Sequence, residues 1–222
     1  MNLEKMDLDM QNYVKKEKYM SIVRHYEECL ENHGDTFAGV DWPKEEDAYK
    51  RYQVMLDVMK FDKTVIQFPS VLDFGCGLGF MYKYILDKGL NINYKGVDIS
   101  DKYLSVCKKK YPLIDFQKID IMKEQYEHKH DYIIANGVFT EKGILEYAVM
   151  KDYFMDMIRK LYSMCRRGLA FNVMSKDVDW ERDDLFHLPL NELSEFLTKN
   201  VTRNYIIRND YGLYEYTTYL YK

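Results

Sequence analysis

The feature that most constrains this chain is the stretch Val-Leu-Asp-Phe-Gly-Cys-Gly-Leu-Gly-Phe at residues 71–80. Three of the chain's eleven glycines fall at alternate positions there, Gly75, Gly77 and Gly79. Ahead of them Ser70–Phe74 reads as a short buried strand, and behind them "FMYKYILDKG" reads as a helix that Gly89 ends. A glycine-rich turn between a strand and its helix lets a ligand approach the backbone with no Cβ in the way, at the positive end of the helix. That arrangement belongs to an open parallel sheet, in which ligands sit beyond the carboxyl ends of the strands.

The rest of the pattern agrees. "YKGVDIS" is a second strand, with Ser100 placed to cap the helix "DKYLSVCKKKY". "IDFQKID", "DYIIANG" and "GLAFNVM" read as three more strands, a helical stripe runs from Leu145 to Cys165, and "LNELSEFLTKN" is a short helix. "TRNYIIRND" and "YEYTTYLYK" are two strands with a turn and no helix between them. The expected fold is therefore α/β, a doubly wound Rossmann-like seven-stranded sheet made of five parallel strands and a C-terminal antiparallel pair. Two helical patterns come first. "EKYMSIVRHYEECLENHG" stops at Gly34, and "PKEEDAYKRYQVMLDVMK" starts at Pro43. Residues 1–60 are expected to form a helical cover or lid belonging to the same domain, over a core of residues 61–222.

Composition narrows the partners. The net charge of −4 argues against nucleic acid, which needs a basic face. No apolar run approaches membrane-spanning length, so no membrane is expected. The N-terminus lacks the apolar segment of a signal peptide. Cys29, Cys76, Cys107 and Cys165 form no Cys-x-x-Cys pair; they read as reduced thiols of a cytoplasmic protein, with no metal site visible.

Three carboxylates surround the glycine turn. Asp73 lies two positions before Gly75, Asp98 ends the second strand, and Asp120 ends the third. Phe80 stands where a dinucleotide fingerprint has its third glycine, which speaks against a nicotinamide oxidoreductase. Asp73 would repel a pyrophosphate but attract an ammonium, and Asp98 is placed to accept ribose hydroxyls.

Taken in order, "VLDFGCGLGF", "YKGVDIS", "FQKIDI" and "DYIIANGVF" resemble the successive motifs of the class I S-adenosylmethionine-dependent methyltransferases. The resemblance covers roughly residues 36–222. With "HGDTFAGVDW" and "AFNVMS" it further resembles a subgroup of small bacterial methyltransferases associated with small-metabolite or surface-polysaccharide (capsule) modification. It implies S-adenosylmethionine as cofactor. Gly75 and Gly77 would line the methionine end, with Asp73 near the ammonium. Asp98 would hold the ribose, Asp120 with Ile121 the adenine, and Asn136 the methionine moiety. Arg51 would pair with the carboxylate, and Trp42 and Ile99 complete the expected contacts.

For the chemistry, His187 follows the fifth strand on the reactive side of the sheet, while His25, Tyr26 and His33 belong to the cover. These four are the candidate catalytic residues. His128 and His130 precede the fourth strand, at its unreactive end. "NGVF" lacks the Asn-Pro-Pro-aromatic pattern used on nucleobase amines and glutamine. The expected acceptor is a small polar metabolite. N-methylation of an amine such as an amino alcohol or its phosphate is preferred, because an unactivated alcohol needs a stronger base. O-methylation of a sugar or nucleotide-sugar, and a non-catalytic cofactor-binding module, are the alternatives. The expected assembly is a monomer or homodimer.

Overall fold

The computed structural model describes residues 19–222. Residues 1–18, part of the expected cover, lie outside the described residues. The strands are β1 (Ser70–Phe74), β2 (Asn93–Asp98), β3 (Phe116–Lys118), β4 (His130–Ala135), β5 (Cys165–Ser175), β6 (His187–Leu188), β7 (Tyr205–Arg208) and β8 (Glu215–Tyr221). They form one sheet in the order β3-β2-β1-β4-β5-β8-β7. β1 to β5 pair in parallel, and β8 runs antiparallel between β5 and β7. The expected architecture is the observed one with one addition. The two-residue β6 pairs in parallel with the end of β5, too short to leave an alternation in the sequence.

The helices are α1 (residues 19–33), α2 (Glu45–Leu56), α3 (Phe80–Asp87), α4 (Asp101–Lys110), α5 (Tyr147–Met164) and α6 (Leu190–Asn200). A sheet covered on both faces explains why the strands read as nearly continuous apolar runs. On one face Leu72, Phe74 and Ile133 pack with Phe154, Met157 and Leu161 of α5 and Phe196 of α6. On the other, Val71, Tyr132 and Ile134 meet Met55 of α2, Ile85 of α3 and Leu104 of α4. Val71 and Leu72 thus serve opposite cores, as the two-residue period of a strand requires.

The helix ends follow the local chemistry. The Ser100 hydroxyl accepts the Tyr103 N–H at 3.4 Å and caps α4, whose last turn carries Lys108, Lys109 and Lys110. α2 begins at Glu45 rather than at Pro43, with Glu45, Glu46 and Asp47 in its first turn, where negative charge suits the helix dipole.

β1 neighbours both β2 and β4, so the strand order reverses beside it. The crevice at such a switch point is where this architecture binds ligands. α1 lies over it. Tyr19 donates to Asp120 at 2.9 Å, the Ser100 hydroxyl donates to Glu27 at 2.6 Å, and the Tyr103 hydroxyl lies 2.7 Å from the Tyr26 carbonyl.

Candidate active site

The glycine turn is built by backbone conformation first. Gly75, Gly77 and Gly79 have φ of 75°, 52° and 73°, the left-handed region that a Cβ disfavours. Space is the second reason. A Cβ on Gly75 would stand 2.6 Å from Cγ2 of Val138, and one on Gly77 would stand 3.3 Å from Cγ1 of Val40. The turn is therefore closely faced by the segment after β4 and by the cover.

Below it sit the carboxylates. Asp73 is 2 % exposed and accepts from the Tyr94 hydroxyl at 2.7 Å. Burial pushes its pKa up to about 7, and the nearby Asp98 charge adds to the rise while Tyr94 opposes it. Asp98 accepts the backbone N–H groups of Gly77 and Ser100, both at 2.9 Å. Burial still raises its pKa above the ordinary carboxylate value. Asp120, just past β3, accepts from Tyr19 and from the Met122 N–H at 3.2 Å, and pairs with Lys123. Oδ1 of Asn136 is buried with no hydrogen-bond partner. An orphaned acceptor, three buried carboxylates and a Cβ-free turn around one cavity fit a ligand with an ammonium, a cationic sulfur and a ribose.

Part of the cavity wall is aromatic. Trp42, Tyr26, Tyr52 and Val138 line it. Gly137, at φ 76°, lies against the indole, and a Cβ there would come within 2.8 Å of Trp42. Its N–H donates to Oδ1 of Asn172 at 2.7 Å, and the Asn172 amide donates to Glu215 at 3.0 Å. Arg51 Nε donates to the other Glu215 oxygen at 2.8 Å and lies over the Trp42 ring at 5.2 Å. The Tyr26 and Thr140 hydroxyls both donate to the Gly137 carbonyl, at 3.4 and 3.1 Å. Burial, then the charge of Glu141, drives the Tyr26 phenol far above its usual value. Glu141 is itself buried, its carboxyl raised by burial and next by Asp184, while it accepts the Gly143 N–H at 3.2 Å.

Of the expected site residues, Tyr26, Trp42, Asp73, Gly75, Gly77, Asp98, Ile99, Asp120, Ile121 and Asn136 line this one cavity. Four candidates are placed differently. Arg51 is engaged by Glu215 instead of facing the cavity. His25 is half-exposed and bonded to Asp41 at 3.1 Å, and His33 is exposed at the end of α1. His187 is buried with both ring nitrogens occupied, Nδ1 at 2.6 Å from the Ser175 carbonyl and Nε2 accepting the Arg182 N–H at 3.2 Å. That pattern anchors β6. His130, at the unreactive end of β4, is half-buried against Tyr126, and burial lowers its pKa to about 4. Sequence reasoning missed Glu141, although it follows β4 on the reactive side of the sheet, and it missed Asn172 inside β5.

Comparison with known proteins bears on the fold and the reaction. A family described as "Methyltransferase domain" matches residues 71–168, from β1 into β5. The Mycobacterium tuberculosis protein Rv1506c, named as a candidate methyltransferase, is 27 % identical over 156 residues, covering 67 % of this chain and 90 % of that one. Magnesium protoporphyrin IX methyltransferase of Synechocystis PCC 6803, solved with S-adenosylhomocysteine, superposes with a TM-score of 0.64 at 16 % identity, over 91 % of this chain and 99 % of that one. The plantazolicin methyltransferase BpumL, in complex with a pentazolic desmethylPZN analog and S-adenosylhomocysteine, gives 0.59 at 14 % identity, over 100 % and 99 %. The fold is that of the class I methyltransferases. With its methyltransferase domain the chain is a methyltransferase, and its cofactor is S-adenosylmethionine. Among the described residues, no helix is long and apolar enough to cross a membrane.

Proposed function

We propose that the protein methylates a small polar metabolite, and that the accepting atom is an amine nitrogen. The observation that carries this reading is the character of the cavity wall. Its charged residues among those described are Asp73, Asp98 and Asp120, all carboxylates, and Trp42 and Tyr26, which lie against Gly137, share the wall with Tyr52. Aromatic faces backed by negative charge favour an amine, which is cationic until it gives up its proton. A phosphate or sugar-nucleotide acceptor needs cations in the wall. Arg51, which lies over Trp42, is already paired with Glu215, and Lys123 with Asp120. The amine itself is therefore favoured over its phosphate.

Asp73, Asn136 and the Gly75–Gly77 turn would hold the methionine end of the cofactor, Asp98 its ribose, and Asp120 with Ile99 and Ile121 its adenine. Trp42 would close the cavity above it. When bound, S-adenosylmethionine supplies an electrophilic methyl group. The protein's own task is to present the nitrogen lone pair in line, remove its proton and exclude water. Tyr26 stays protonated and orients the acceptor by donating to a group other than the reacting nitrogen, such as the hydroxyl of an amino alcohol, so that the one nitrogen lone pair stays free for the methyl. Glu141 does not line the cavity, but its charge acts on Tyr26, and we assign the proton to it, since a carboxyl with a raised pKa is the better base. His25, His33 and His187 have no part in this reading. A polysaccharide setting remains compatible with it, with the amine carried by a precursor.

The deciding experiment is a mass-spectrometric screen of cofactor-saturated enzyme against amino alcohols, their phosphates, amino acids and sugar nucleotides. We expect one methyl gained by an unphosphorylated amine alongside S-adenosylhomocysteine. Methyl gain confined to sugar hydroxyls would refute the nitrogen acceptor and leave the cofactor assignment standing.

A further inference from the structure

Three ligand-type side chains converge at the rim of the cover, outside the cofactor cavity. His25 and Cys29 are one helical turn apart on α1, so they share a face. Asp41 comes from the turn that follows α1, where it is the only non-glycine residue with positive φ among those described (57°). Nε2 of His25 lies 3.1 Å from Oδ2 of Asp41 and 3.9 Å from Sγ of Cys29, and all three donor atoms fall within 4.8 Å of one another. Tetrahedral zinc with bonds of about 2.0–2.3 Å sets its ligand atoms roughly 3.3–3.7 Å apart. The three donors stand within about 1 Å of that geometry. Glu141 and Asp184 are near enough to His25 for its charge to act on both carboxyls, and Arg182, paired with Asp184, is the cation close to the same group.

We propose that His25, Cys29 and Asp41 form a binding site for a divalent transition-metal ion, zinc by the softness of the donor set, with a fourth position left to solvent. Binding is a ligand exchange. The Cys29 thiol releases its proton to solvent, the thiolate, imidazole and carboxylate bond the ion, and coordinated water leaves. The consequence is mechanical. The ion ties α1, which carries Tyr26, to the turn that carries Val40 and leads into Trp42, the residues that face Gly77 and Gly137. Metal occupancy would hold the cover shut over the cavity. Sequence reading looked for paired cysteines, whereas here a single cysteine is completed by a histidine four residues before it and an aspartate twelve residues after it. The proposal does not depend on which atom accepts the methyl group.

The test is cobalt(II) titration of the full chain after chelator treatment, followed by absorbance. We expect saturation at one equivalent, with a thiolate-to-cobalt charge-transfer band in the near ultraviolet that zinc abolishes by displacement. In Cys29→Ser that band should vanish, and Asp41→Asn should weaken cobalt binding about tenfold or more, both variants keeping the far-ultraviolet circular dichroism of the parent. No charge-transfer band in the parent, or an unchanged band in Cys29→Ser, would overturn the site. Limited proteolysis reads the mechanical part. Zinc should slow cleavage within residues 19–41 in the parent and not in Cys29→Ser, and equal rates with and without zinc would overturn the tie between α1 and the turn.

Discussion

Asp98 accepts the backbone N–H of Gly77 at 2.9 Å, so the carboxylate that ends β2 also holds the turn that follows β1. Its other oxygen takes the Ser100 N–H, the residue that caps α4. One side chain therefore fixes the turn and the next helix while keeping lone pairs for ribose. Asp98→Ala should weaken binding of S-adenosylhomocysteine by about 1–3 kcal/mol, the cost of leaving buried partners unmet, with a smaller loss for Asp98→Asn. Calorimetric titration checks this. Unchanged affinity in a folded Asp98→Ala protein would remove the ribose role.

A second prediction concerns pH. The Asp73 carboxyl has a folded pKa of about 7, above the ordinary value near 4 for an unfolded aspartate. A raised carboxyl contributes stability that is fully present below the unfolded pKa and is lost as pH rises through the folded one. The cofactor-free protein should thus lose stability between about pH 4 and pH 7, by an upper bound of roughly 4 kcal/mol. Asp73→Asn should lack this slope. Cofactor binding needs the ionised form to meet the ammonium, so affinity should fall about tenfold per unit as pH drops below 7. Urea melts and titrations at pH 5, 6, 7 and 8 measure both. A pH-independent affinity would show that Asp73 does not face the cationic end.

The buried strand Ser70–Phe74, the three glycines, the Ser100 cap and the closing strand pair were all legible, because each is imposed by its own neighbours in sequence. What escaped depends on residues far apart. Arg51 was free to be assigned to the cofactor until Glu215, 164 positions later, appeared beside it at 2.8 Å. His187 lies on the expected side of the sheet, but the Ser175 carbonyl and Arg182 N–H consume its two nitrogens. β6 pairs with β5 over two residues, with no periodicity of its own. Glu141 acquires a raised pKa only because folding buries it near Asp184.

Gly137 gives the third prediction. Its φ of 76° and the 2.8 Å approach of any Cβ to Trp42 make Gly137→Ala doubly unfavourable. The indole has to move or the backbone has to leave its bond to Asn172. The strain should cost about 1–3 kcal/mol of stability and shift the Trp42 emission. Trp180, the other tryptophan, is 70 % exposed, so a Trp180→Phe background isolates the signal. Emission and melting unchanged from the parent would show that the turn tolerates a side chain and that Trp42 is not seated on it.

The last prediction separates donor from base at Tyr26. Its hydroxyl bonds the Gly137 carbonyl at a long 3.4 Å, a contact it can exchange for an incoming acceptor. Burial and Glu141 keep the phenol protonated across the working pH range, so it can orient a substrate but has no capacity to accept a proton. Tyr26→Phe should therefore lower kcat/KM by about tenfold, the value of one hydrogen bond, with cofactor affinity unchanged and the shape of the pH–rate profile preserved. Glu141→Gln should do the reverse, removing the acidic limb of the profile while the acceptor KM changes little. A profile that loses its limb in Tyr26→Phe and keeps it in Glu141→Gln would exchange the two roles, making the phenol the proton acceptor and the carboxyl a structural support for α1.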